Sequence, residues 1–213
     1  MQIILTNAGK RFSREWIFRG LNYTFSSKKK YAITGNNGSG KSTLLQILSG
    51  ALLLNEGDCE WKLNDSKIEA DAVHSHISIA APYVELIEEM TAKEFLHFHR
   101  NFKKYIDDLS IEAILQEANL MDAADKQIRF FSSGMKQRLK LAQAIFSDVP
   151  IILLDEPCTN LDAAGFELYD KWINNYSKQR LIVISSNDKN EYHFCVEEIN
   201  IQQYKTKNTT SSA

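Results

Sequence analysis

The chain has 213 residues, 44% of them apolar, and sets 25 Lys and Arg against 27 Asp and Glu for a formal net charge of −2. That length buries a sizeable core, and the near-neutral balance gives bulk electrostatics no hold on nucleic acid. Three isolated cysteines without paired spacing and the lack of any bilayer-length apolar run argue for a reducing compartment and against a structural zinc or direct membrane insertion. At the N-terminus, Met1 to Leu5 meets Lys10 and Arg11 too soon for a secretory signal pattern.

In chain order, residues 2–6 and 21–25 read as strands of an edge sheet, and 31–34 as a short apolar strand. Gly35-Asn36-Asn37-Gly38-Ser39-Gly40-Lys41-Ser42 follows, and a helical pattern runs over 41–49. Strand, glycine-rich turn and helix form the context in which that spacing is a phosphate-binding P-loop. Glycines let successive N–H groups turn inward around phosphate oxygens, and the helix start behind them favours an anion. Lys41 brings charge to the outer phosphates, the Ser42 hydroxyl is a Mg²⁺ ligand, and Thr43 reaches an inner phosphate.

A turn at Asn55-Glu56-Gly57-Asp58 leads to a strand over 59–63, and a further strand over 77–81 stops at Pro82. From 85 to 130 the pattern is helical, at 91–105 and 110–120, which reads as an inserted helical subdomain. A helix then starts near Ser133 and runs to Phe146. The apolar run Ile151-Ile152-Leu153-Leu154 fits a strand buried on both faces. Asp155 and Glu156 follow it directly, so both carboxylates arrive at the carboxyl end of the sheet, where ligands gather. Asp155 suits the Mg²⁺ shell, and Glu156 suits polarising a water for in-line attack. A helix over 163–176 and a strand over 181–185 complete the pattern, and 205–213 reads as a disordered tail in which Asn208 heads a glycosylation sequon.

Phe131-Ser132-Ser133-Gly134-Met135-Lys136-Gln137-Arg138 resembles the signature of the ABC ATPases. Ile151 to Pro157 is similar to their Walker B strand with its catalytic Glu, and Asn160-Leu161-Asp162 to their D-loop. Phe12, 29 residues before Lys41, resembles the aromatic residue that stacks on adenine. The resemblance covers nearly the whole chain and implies an α/β fold: a RecA-like P-loop NTPase core with a parallel sheet, an antiparallel edge β-subdomain and an inserted helical subdomain. It implies one domain over 1–204, with its core at about 1–84 and 131–204. It further implies ATP and Mg²⁺ as cofactors, with catalysis by Glu156, Lys41 and Asn187, the last in the place of a switch His. Phe131 to Met135 would contact ATP held by the other protomer of a homodimer or heterodimer. A membrane permease would be the partner and place the chain peripherally on the cytoplasmic face. Two readings stay open: a transport subunit, with small exporter cassettes the nearer likeness, and a non-transport ABC ATPase regulating a membrane or cell-envelope complex. Four positions depart from the family pattern, two of them in the signature, where Ser133 stands for Gly and Met135 for Gln. Pro82 stands where a Gln ends the strand before the helical subdomain, and Asn187 cannot carry the proton of a switch His.

Overall fold

The computed structural model describes residues 1–177 and 179–205; of the expected tail over 205–213, residues 206–213 with the sequon lie outside the described residues. Two strands, β1 (Gln2–Phe12) and β2 (Glu15–Ser26), form a long hairpin. With β4 (Glu56–Leu63) and β5 (Ser66–Ile68) they make an antiparallel sheet of order β2-β1-β4-β5. The hairpin outruns the expected strands because its outer residues are polar and solvent-facing. Pairing along β1, interrupted by bulges after Leu5, carries it on to Phe12.

The second sheet is parallel. It comprises β3 (Lys30–Thr34), β6 (Ile77–Ala80), β7 (Ile151–Asp155), β8 (Leu181–Ser185) and β9 (Glu197–Asn200), in the order β6-β7-β8-β3-β9. All its pairs are parallel. Alternate residues of each strand face opposite layers. Tyr31, Ile33, Ile151, Leu153, Leu181 and Val183 pack on α1 (Lys41–Leu48), which the hairpin covers through Ile3, Leu5, Phe18 and Phe25. Ala32, Ile152, Leu154, Ile182 and Ile184 face the other way, onto α4 (Ser133–Ile145) and α5 (Ala163–Tyr176).

Between β6 and α4 the described chain is helical. α2 (Ala92–Arg100) starts at a capping box in which the Thr91 hydroxyl accepts from the Glu94 N–H and the Glu94 carboxylate accepts from the Thr91 N–H. α3 (Ile111–Glu117) is capped by Ser110. Both helices are shorter than their apolar patterns: 101–110 leaves the helix to bring Tyr105 and Ile106 onto α4, and α3 is closed by Asn119 at φ 52°, with the Leu120 N–H donating back to the Leu115 carbonyl. The Tyr105 hydroxyl donates to the Leu96 carbonyl at 2.9 Å, and the Ile106 N–H to the Phe146 carbonyl at 2.9 Å. A final short helix, α6 (Lys189–Tyr192), joins β8 to β9.

Candidate functional site

The loop between β3 and α1 is built on glycine. Gly40, at φ 106°, precedes α1 in a backbone region closed to residues with a Cβ. A Cβ there would lie 2.2 Å from Ile17 Cγ2, so the loop also needs glycine for its approach to β2. Gly35 (φ 140°) and Gly38 (φ 72°) turn the rest of the loop. Lys41 is buried and its Nζ donates to the Gly35 carbonyl at 2.8 Å and the Asn36 carbonyl at 3.4 Å. Lys41 also lines a cavity of about 200 Å³, together with Ile17, Asn37, Gly38, Gly40, Ser42, Thr43 and Glu156.

The second half of the site comes from β7 and β8. Asp155 continues the row of Ile151 and Leu153, so its side chain faces α1, at the carboxyl end of the sheet. Strand alternation would send Glu156 to the opposite face. Instead Glu156 takes φ 46°, its N–H donates to the Ser185 carbonyl at 2.8 Å, and its side chain turns into the cavity wall. A non-glycine residue held at positive φ costs about 1–3 kcal/mol and persists only where its surroundings enforce it.

Strand order places β8 between β3 and β7, so the segment leaving β8 emerges between the P-loop and Glu156. There Asn187 Nδ2 donates to Asn37 Oδ1 at 2.6 Å, joining residues far apart in sequence. Three buried polar atoms of these elements have no hydrogen-bond partner: Ser39 Oγ, Asp155 Oδ1 and Ser185 Oγ. Ser185 pairs in register with Asp155 and with Ile33, and so faces α1 beside that carboxylate. Buried polar groups are rarely left unpaired in the working state of a protein. Their grouping at the strand ends suits a hydrated cation. Among the described residues no group of three or more His, Cys, Asp or Glu could hold a metal by itself, so phosphate oxygens and water would complete its shell.

The structure thus brings together Asn37, Gly38, Gly40, Lys41, Ser42, Thr43 and Glu156 around one cavity, with Asp155 and Asn187 beside it. Phe12 ends β1 as a 49% exposed ring outside the cavity lining, with Lys10 Nζ 5.3 Å above it. The signature lies apart from the cavity of its own chain. Ser132 caps α4 by accepting from the Met135 N–H at 3.3 Å, and Gly134 lies against the Asn160 carbonyl, which a Cβ would meet at 3.1 Å. Gln137 Nε2 donates to the Pro157 carbonyl at 2.6 Å, holding the signature helix to the loop after Glu156. In the D-loop, Asn160 takes φ 66°, the Leu161 N–H donates to the Cys158 carbonyl, and Asp162 caps α5 through the Gly165 N–H.

Two residues of the site escape sequence reasoning. Ile17 is apolar and lies in a strand, so nothing marks it as a cavity wall. Tyr83 follows Pro82 and brings its hydroxyl to Gln46 of α1. Burial pushes its pKa up, the charge of Asp155 adds to this, and the hydrogen bond with Gln46 opposes. Only the fold brings Tyr83 near Asp155, so the sequence carried no signal for it.

A glycine-rich loop between strand and helix, with a lysine lining the cavity and an Asp-Glu pair two strands away, defines a P-loop nucleotide-binding protein. The profile of the family described as ABC transporter matches residues 18–159. The cytochrome c biogenesis ATP-binding export protein CcmA of Aliivibrio fischeri is 31% identical over 168 residues, covering 79% of this chain and 82% of that protein. The ABC transporter ATP-binding protein YybJ of Bacillus subtilis is 31% identical over 196 residues, covering 89% and 87%. Among solved structures, a bacterial Atm1-family ABC exporter with ATP bound superposes with a TM-score of 0.79 at 19% identity, over 94% of this chain and 37% of the exporter. The chain belongs to the ABC transporter ATP-binding protein family, and is an ATP-binding subunit with that family's ATPase fold.

Proposed function

We propose that this subunit hydrolyses Mg-ATP at composite sites between two protomers, and turns over slowly until its membrane partner is docked. The observation that carries the reading is the convergence of Lys41, Ser42 and Glu156 on one cavity, with the orphaned Asp155 carboxylate alongside. The cavity is lined by the phosphate-binding loop and is open to solvent, and the exposed ring of Phe12 is the aromatic face on which the base would stack. The N–H groups of Gly35 to Gly40, with Thr43, bind the phosphates, and Lys41 leaves its loop carbonyls for the terminal ones. Ser42 and Asp155 would hold Mg²⁺, which neutralises the charge that develops during phosphoryl transfer. Glu156 orients the attacking water, and Asn187 hydrogen-bonds the terminal phosphate without a proton to give.

Phe131 packs in the core and Met135 against it, so of the expected contacts Ser132, Ser133 and Gly134 are the ones open to a second protomer's triphosphate at the capped start of α4. Pro82 offers no side-chain amide to Mg²⁺ or the attacking water, and Asn187 carries neither the proton nor the positive charge of a His, which together motivate the slow basal rate. A permease in the membrane is the partner that closure would drive, with the domain at 1–204, its helical part at 85–130 and a cytoplasmic, peripheral position. No described helix is long and apolar enough to cross a membrane. The relative named for export favours an exporter. Glu156→Gln tests the reading: the variant should bind ATP, fail to hydrolyse it, and run as a dimer in size-exclusion scattering only with ATP present. A monomer at saturating ATP would refute the composite site.

A further inference from the structure

Helix α6 carries a buried carboxylate that no phosphate contact explains. Glu191 is 6% exposed, and its Oε1 accepts from the Cys158 N–H at 2.8 Å. Its own carbonyl accepts from the fully buried Tyr169 hydroxyl of α5, also at 2.8 Å. Cys158 lies midway between Glu156 and Asn160, on the loop that carries the water-orienting carboxylate into the D-loop. On its other side, Glu191 sits one turn after Asn187, in a helix capped by Asp188 through the Asn190 N–H. One side chain therefore spans the two segments that flank the terminal phosphate position.

Burial works against a charged carboxylate there. Burial raises the Glu191 pKa, the charges of Asp188 and Glu156 raise it further, and hydrogen bonds from Ser186 and the Cys158 N–H oppose them. A well-packed apolar residue of similar volume is often as stable as a buried charge or better. Packing alone does not account for a carboxylate at this place, whereas an acceptor aimed at the Cys158 N–H does.

We propose that Glu191 is a positioning residue that ties the loop of Glu156 and Asn160 to the segment of Asn187, so that a displacement of Asn187 by a terminal phosphate is carried to Glu156 and the D-loop. The proposal rests on the ATPase reading above. The full chain is tested as Glu191→Met, which fills the space without an acceptor, and as Glu191→Gln, which keeps an oxygen at the same reach. Glu191→Met should lower kcat by about tenfold or more with KM within about twofold, and Glu191→Gln should stay within about threefold of the parent. In the parent chain, a non-hydrolysable ATP analogue with Mg²⁺ should slow amide exchange over 157–161 and 188–192 together. An unchanged kcat in Glu191→Met, a Glu191→Gln variant as impaired as Glu191→Met, or protection of only one segment would overturn the proposal. A parent chain that neither binds nor hydrolyses ATP would instead overturn the ATPase reading.

Discussion

Gly40→Ala probes the cradle most directly. At φ 106° an alanine is strained, at a cost of about 1–3 kcal/mol. The new Cβ would also lie 2.2 Å from Ile17 Cγ2, far inside van der Waals contact. Ile17 is β-branched and held in β2, so it cannot swing aside cheaply, and forcing a methyl into such a contact adds about 1–3 kcal/mol before relaxation. The loop can relieve both only by leaving the geometry that binds phosphate. A net loss near 2 kcal/mol corresponds to a fall in ATP affinity of about thirtyfold. Titration with a fluorescent ATP analogue reads it, and thermal unfolding checks that the fold persists. Ile17→Ala in the Gly40→Ala background removes the collision but not the strain, and should restore part of the affinity. Gly40→Ala binding within about threefold of the parent would refute the account of the loop. A double variant no better than Gly40→Ala would refute the role of Ile17.

Asn187→His should raise basal hydrolysis by about tenfold, by supplying a proton-bearing group at the terminal phosphate in place of the amide held on Asn37. Measured alongside normal ATP affinity, an unchanged rate would count against Asn187 as the limiting position. A separate pH effect centres on His99. Its ring is stacked on Tyr105, with Gln143 Nε2 2.7 Å from its Nε2. Burial, with the charge of Lys103 adding, brings its pKa from 6.5 down to about 4. A histidine with a lowered folded pKa stabilises the fold above its unfolded pKa and loses that contribution as pH falls through the folded one. Unfolding free energy should therefore decline between pH 6.5 and about 4, by at most about 3 kcal/mol. Urea unfolding of His99→Gln should show a shallower decline, and parallel pH slopes for the two proteins would dismiss His99 as the cause.

Sequence patterning by itself marked the glycine-rich loop between strand and helix and the strands that are buried. The P-loop is legible because its chemistry is local: glycines, one lysine and one serine act within a single turn between β3 and α1. The strand before Asp155 is legible because burial on both faces demands an unbroken apolar run. Short elements such as β5, β9 and α6 are not, since each is too brief for a period and is stabilised by what it packs against. Only the tertiary structure decided that β8 lies between β3 and β7, and hence that Asn187 meets Asn37 while Glu156 turns back across the sheet. The same holds for Ile17 against Gly40 and for Glu191 beneath Cys158. These contacts join residues remote in sequence through strand order and backbone handedness, and neither property is encoded in the spacing of residues along one segment.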